Sequence, residues 1–175
     1  PKPSSAASDV YKRQDVSVEE YTYNGDKIAQ RIYDDGTDNG YQRDTFSYDS
    51  TGRLSVFISA VFFADDTPPS VSRNEYTYNS DNTITVKTYY GDETSQTDLY
   101  DTAVVTITNG NLVSYNGTAY DETATFDTKN SPRRNVVGDN IITLAYLEGG
   151  VNNELTNHFD NGQGVQTITS TYTYN

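Results

Sequence analysis

One short unit recurs along the chain: an aromatic residue, any residue, a second aromatic, then Asn or Asp, then a small or Gly-bearing turn. It appears as Tyr21-Thr22-Tyr23-Asn24-Gly25, as Phe46-Ser47-Tyr48-Asp49-Ser50-Thr51-Gly52-Arg53-Leu54, and as Tyr76-Thr77-Tyr78-Asn79-Ser80-Asp81, with starts 25 and 30 residues apart. Weaker copies follow at Val105 to Leu112 and Ala124 to Pro132, and a last one begins at Tyr172-Thr173-Tyr174-Asn175. In an extended chain residues i and i+2 share a face, so the two aromatics of each unit lie together. Asn or Asp tolerates a left-handed turn and Gly supplies one at no steric cost, so the strand folds back on itself. A second β-rich run follows each turn: Lys27 to Tyr33, Arg53 to Phe63 and Thr83 to Tyr90. Each repeat reads as one antiparallel hairpin.

Further Asn-Gly turns at Asn109-Gly110, Asn116-Gly117 and Asn161-Gly162 continue the rhythm. They predict ten or eleven strands in all, and no segment has a 3.6-residue apolar period. The 24 Thr and 16 Tyr, set against 9 Ala and 6 Leu, agree with a β-protein. Acidic, polar stretches at Asp34 to Gly40, Asp65 to Pro69 and Gly91 to Thr94, with a mean hydropathy of −0.75, predict limited two-sided burial. The expected fold is all-β: an antiparallel meander of repeated hairpins forming a long twisted or partly closed sheet.

Composition excludes several functions. The chain has no cysteine, which removes disulfides, thiolate metal sites and cysteine nucleophiles. Its 25 acidic and 12 basic residues give a net charge of −13, and a nucleic-acid partner needs a Lys/Arg surface instead. No apolar run approaches the roughly 20 residues of a membrane-spanning helix.

Residues Ser4 to Gln14 (Ser-Ser-Ala-Ala-Ser-Asp-Val-Tyr-Lys-Arg-Gln) resemble the in-frame translation of a transposon-based sequencing adapter, codon for codon. On this reading residues 1–14 are non-native and disordered, and 15–175 form the repeat domain, truncated at its C-terminus. Without Lys2, Asp9, Lys12 and Arg13, the remaining 161 residues carry 24 acidic and 9 basic side chains, a net charge of −15. A truncated read also removes any weight from the missing initiator methionine and signal segment.

The stretch Phe46 to Leu54 resembles the YD (RHS-like) repeat, whose pattern is Tyr-Asp, two variable residues, Gly, Arg and an apolar residue. The runs Thr108 to Val113, Thr125 to Pro132 through Asn135 to Gly138, Asn152-Asn153 and Tyr172 to Asn175 are similar, in that order, to the C-terminal half of bacterial surface lipoproteins built from degenerate YD-like repeats. The resemblance covers residues 19–175. Tyr78-Asn79 and Phe126-Asp127 depart from the Tyr-Asp pair, and Ser80-Asp81-Asn82 lacks the Gly. The resemblance implies export, a lipid anchor upstream, placement at the cell surface or periplasm on the outer membrane, and a non-catalytic structural or recognition role. It transfers no functional residue, because its motif positions are structural.

Each candidate for chemistry has a plainer reading. His158, the sole histidine, lies in Asn157-His158-Phe159-Asp160, with Ser170 or Asp160 as the residues to nominate beside it, but no nucleophile elbow is present. The spacing Asp35-x-Thr37-x-Asn39-Gly40 echoes a calcium loop, yet the twelfth position is Phe46 rather than a bidentate Glu. Asp65-Asp66 would have to converge across a cleft to act as a glycosidase pair. Gly162-Gln163-Gly164 precedes a strand-like Val165 to Tyr174, not the helix a phosphate loop requires. The run Val56 to Phe63 reads as a buried strand. The tyrosine rows either form the cross-strand core or make an exposed platform for a glycan or peptide. The expectation is therefore no catalytic, metal or cofactor-binding residue and no enzyme, with a glycan or protein ligand as the partner class and a Tyr-lined binding module as the alternative.

Overall fold

The structure, a computed structural model, describes residues 17–36, 40–65, 67–131 and 139–173. The adapter-like segment at 4–14, Asp66, the tip residues 37–39 and the last two residues lie outside this set.

The strands are β1 (Val18–Asn24), β2 (Lys27–Asp34), β3 (Gly40–Tyr48), β4 (Leu54–Phe63), β5 (Ser70–Tyr78), β6 (Thr83–Gly91), β7 (Gln96–Thr108), β8 (Asn111–Asn116), β9 (Asp121–Asn130), β10 (Asn152–Asp160) and β11 (Val165–Thr169). All pair antiparallel in chain order, giving one eleven-stranded meander that does not close into a barrel. The three repeat turns join β1–β2, β3–β4 and β5–β6, as the sequence predicts. In β3–β4 the backbone closes with Asp49 N–H on Arg53 O at 2.8 Å, and Gly52 takes φ +86°. In β5–β6 Asn79 N–H meets Thr83 O at 2.9 Å, and Asn82 takes φ +64° where the earlier repeat has Gly52. Asn is among the few side chains that enter this region readily, so the missing Gly leaves the turn intact.

A short helix, α1 (Asp139–Tyr146), interrupts the meander between β9 and β10. It lies on one sheet face and supplies Ile142, Leu144 and Ala145 to the core, against Phe46, Leu54, Phe57, Tyr76, Val86, Val105 and Leu112. After the helix the chain zips onto the β7–β8 turn: Leu112 N–H bonds Gly149 O at 3.1 Å, and Asn152 N–H bonds Asn111 Oδ1 at 3.0 Å.

Four sequence expectations are corrected. No helix was expected, but α1 is only eight residues long and Ile142 to Ala145 are all buried, so it carries no alternating polar face. The weak repeat at Ala124 to Pro132 makes no turn after Asp127; β9 runs on to Asn130 because β10 pairs along it as far as Asn152. The strand expected over Val165 to Tyr174 ends at Thr169, where its pairing with Thr156 ends. The run Val56 to Phe63 is a strand but only partly buried: Phe57 lies beneath α1 and Ala60 is covered on the opposite face, whereas Val61 and Phe63 at its end are exposed.

Candidate recognition groove

In the second and third repeat units the aromatics are structural ties. Tyr48 donates its hydroxyl to Ile28 O at 2.8 Å, and Tyr78 donates to Leu54 O at 3.0 Å. Each bond runs from the last strand residue before a turn back to the second strand of the preceding hairpin. A cation covers each ring, Lys27 Nζ over Tyr48 at 4.8 Å and the Arg53 guanidinium over Tyr78 at 4.1 Å. Phe46 and Tyr76, the first aromatics of their units, are buried. Burial pushes the Tyr76 phenol well above its ordinary range, and its hydroxyl donates to Leu144 O of α1 at 3.2 Å.

Two residues before each first aromatic, on the same face, stand Glu19, Asp44 and Asn74. Asp44 is fully buried and accepts from Arg31 at 2.8 Å, from Gln42 at 2.9 Å and from the Tyr146 hydroxyl. Glu19 accepts from the same Arg31 at 2.6 Å. This network ties β1, β2 and β3 to the end of α1. Burial first, and then the Asp44 carboxylate, push the Tyr146 phenol up, so it stays a neutral donor.

Two hollows flank the end of α1 and share Tyr120, Tyr146 and Leu147 as their dividing ridge. Leu147 holds φ +56°, and Glu148 N–H bonds Thr143 O at 3.2 Å, a helix stop that usually uses Gly. The smaller hollow, about 340 Å³, has Ser59, Ser72, Asn74 and Thr88 among its lining, with Tyr90 and Tyr100 beside them. The larger, about 860 Å³, runs under β9–β11 and holds Phe159, Tyr172, Glu122, Glu148, Glu154 and Asn157. Aromatic contacts link the walls: Tyr115 stacks on Tyr120 at 4.4 Å, Tyr120 meets Phe159 at 5.0 Å, and Tyr90 meets Tyr100 edge-on at 5.1 Å.

Buried Asp101 sets this wall. It accepts from the Tyr115 hydroxyl, from Thr118 N and Oγ1 at 2.6 Å each, and from Ala119 N at 3.1 Å, so it caps the β8–β9 turn. A Cβ on Gly117 would collide with the same carboxylate and with the Tyr115 ring, which explains the Asn116-Gly117 turn. In the larger hollow Glu154 is raised by burial and by the charges of Glu122 and Glu148, against the Asn157 amide that lowers it.

The residues nominated for chemistry stay apart. His158 is exposed on β10 with Nδ1 against Thr167 Oγ1 at 2.8 Å, while Asp160 accepts the Gly162 N–H at 2.8 Å and the Ser170 N–H donates to Leu155 O at 2.8 Å. Asp34 Oδ1 accepts Gly36 N–H at 2.8 Å; the calcium-like spacing runs through 37–39, outside the described residues. Asp65 accepts Thr67 N–H at 3.1 Å, and its neighbour Asp66 lies outside them too. Gly162 to Gly164 form the β10–β11 turn with no helix after them. Among the described residues no group of three or more His, Asp or Glu converges to hold a metal, and no helix is long and apolar enough to cross a membrane. The groove itself was not legible, because it is assembled by α1 from Tyr90, Tyr100, Tyr120 and Tyr146, which lie outside the repeat rows. The one signal was a polar residue at an inward strand position, Asn74 or Asp101. No family model, curated protein or solved structure matches the chain.

Proposed function

We propose that the chain is a non-catalytic structural or recognition module of an exported bacterial repeat lipoprotein of the YD-like kind. The observation that carries this reading is the paired tie of Tyr48 to Ile28 and Tyr78 to Leu54: the repeat tyrosines are spent on joining hairpins, as in a scaffold built by repetition. A second reading, a carbohydrate- or peptide-binding module, is favoured by the aromatic groove beside α1, since concave sites with aromatic walls and a few polar groups are the usual form of ligand pockets. Its tyrosines are those of β6, β7, the β8–β9 turn and α1, joined in the larger hollow by Tyr172 of the last repeat unit.

The test is incubation of the folded chain with glycan and peptide libraries, followed by mass spectrometry of the bound and unbound material. The module reading expects retention, or no interaction, with every compound recovered unchanged. Turnover of any compound would overturn it. Export and anchoring are tested separately, by fractionating cells that carry the complete gene: recovery in the cytoplasm contradicts them.

A further inference from the structure

Asn74 lines the smaller hollow and carries an unmet hydrogen-bond acceptor beneath its surface. Asn74 is 9% exposed, and its Oδ1 is buried without a partner among the described residues. The amide orientation is set on its other side, where Nδ2 faces Ala145 O at 3.5 Å and the Tyr76 hydroxyl at 3.4 Å; turned round, Oδ1 would oppose that carbonyl. Both bonds are at the long limit, so the amide shifts readily toward a better partner. Around it the floor is built from Ser59, Ser72 and Thr88, hydroxyls that both donate and accept. Among the described residues no charged side chain lines this hollow. Tyr90 and Tyr100 stand at its rim, 44% and 54% exposed. Large exposed rings set edge-on beside a polar floor are surfaces for an apolar face with hydroxyls at its edge.

We propose that this hollow binds one neutral pyranose unit of an oligosaccharide, its ring face on Tyr90 and Tyr100 and a ring hydroxyl donating to Asn74 Oδ1, with the rest of the chain leading over Tyr120 and Tyr146 into the larger hollow. The size fits: about 340 Å³ is at the lower end of ligand pockets, and the ridge residues are common to both spaces. The inference rests on the binding-module reading and names its ligand class. A basic ligand is the competing chemistry, because Glu122, Glu148 and Glu154 make the larger hollow acidic, but it leaves the Asn74 acceptor and the neutral floor unused.

The test is calorimetric titration of the full chain with cellopentaose, maltopentaose and penta-N-acetylchitopentaose, all neutral, and with spermidine and a trilysine peptide as the basic arm. At least one oligosaccharide binds with Kd below about 1 mM. Tyr100→Ala weakens it at least about tenfold, and Asn74→Leu, which removes the acceptor while keeping the volume, weakens it by a similar factor without lowering the thermal midpoint. Tyr23→Ala, an exposed tyrosine on β1, leaves it unchanged. Oligosaccharide binding that survives Tyr100→Ala and Asn74→Leu overturns the site while leaving the module reading in place. Binding of spermidine or trilysine with no oligosaccharide bound overturns the ligand class, and binding of none of the five probes overturns the proposal; the library experiment above then decides the broader reading separately.

Discussion

The Tyr78 hydroxyl donates to the carbonyl of Leu54, 24 residues earlier, and so ties the third hairpin to the second strand of the one before it. The same bond recurs one repeat upstream between Tyr48 and Ile28, with Lys27 and Arg53 at matching positions over the two rings. The pairing of β2 with β3 stops at Gln30 and Thr45, and that of β4 with β5 at Val56 and Glu75; these hydroxyls join the same neighbouring strands beyond those last pairs, at the turn-bearing end of the sheet.

Tyr48→Phe and Tyr78→Phe each lower stability by about 1 kcal/mol, the usual worth of one net hydrogen bond, and their effects add in the double variant because the sites share no partner. Tyr23→Phe, at the equivalent position of the edge strand where the ring is exposed, stays within about 0.5 kcal/mol. Urea unfolding measures all four; equal costs at Tyr23 and Tyr78 would show that the bond to Leu54 contributes nothing.

Asp44→Asn removes one of the two carboxylates on partly buried Arg31 and weakens a fully buried hydrogen-bonded site, but Glu19 still faces the guanidinium, so the cost is about 1 to 3 kcal/mol. Tyr146→Phe costs less, because Arg31 and Asp44 keep each other. The order of the two unfolding midpoints checks this.

Asn82→Gly leaves stability unchanged or raises it slightly, while Asn82→Ala costs about 1 kcal/mol, because φ +64° puts an alanine Cβ against the following carbonyl. If both variants melt together, the turn does not depend on that left-handed residue.

Stability falls at both ends of the pH scale, for opposite reasons. The phenols of Tyr76, Tyr115 and Tyr146 are raised by burial, with Asp101 and Asp44 adding to the last two. The folded state therefore holds protons that the unfolded state releases, and this contribution is intact below about pH 10 and lost above it. The carboxylates of Asp49, Asp81 and Asp92 are held below their ordinary 3.8 by backbone and hydroxyl donors at Arg53, Thr51, Thr83 and Thr94. Their contribution is intact above that value and lost as pH falls through the lowered one. Glu154 runs the other way, its raised carboxyl favouring the folded state slightly as acid is added. Melting midpoints across pH, with tyrosinate absorbance recorded alongside, test the signs: rings that ionise before unfolding would contradict the alkaline arm.

The hairpins were legible because turn chemistry is local: Asn24-Gly25, Asp49 to Gly52 and Asn109-Gly110 state where the chain reverses, and alternation states which face each tyrosine takes. What was not legible is set by contacts distant in sequence. Asp44 finds Tyr146 across 102 residues and Asn74 finds Ala145 across 71, and neither pairing leaves a trace in local spacing. The pattern that was present, Glu19, Asp44 and Asn74 each two residues before an aromatic, placed a polar side chain on an inward face. Such a position needs a partner, and here α1 provides the Tyr146 hydroxyl and the Ala145 carbonyl. The helix itself stayed hidden because two buried turns look the same as a buried strand.

The proposed division of labour is that Tyr48 and Tyr78 of the repeats hold the sheet together, while Tyr90 and Tyr100 beside α1 are the surface offered to a ligand. Oligosaccharide retention by the folded chain, compared between Tyr48→Phe/Tyr78→Phe and Tyr90→Ala/Tyr100→Ala, tests it most directly. The account predicts retention by the first pair, despite its lower melting point, and loss by the second at an unchanged melting point. Loss of retention by the folded first pair, with retention by the second, would contradict it.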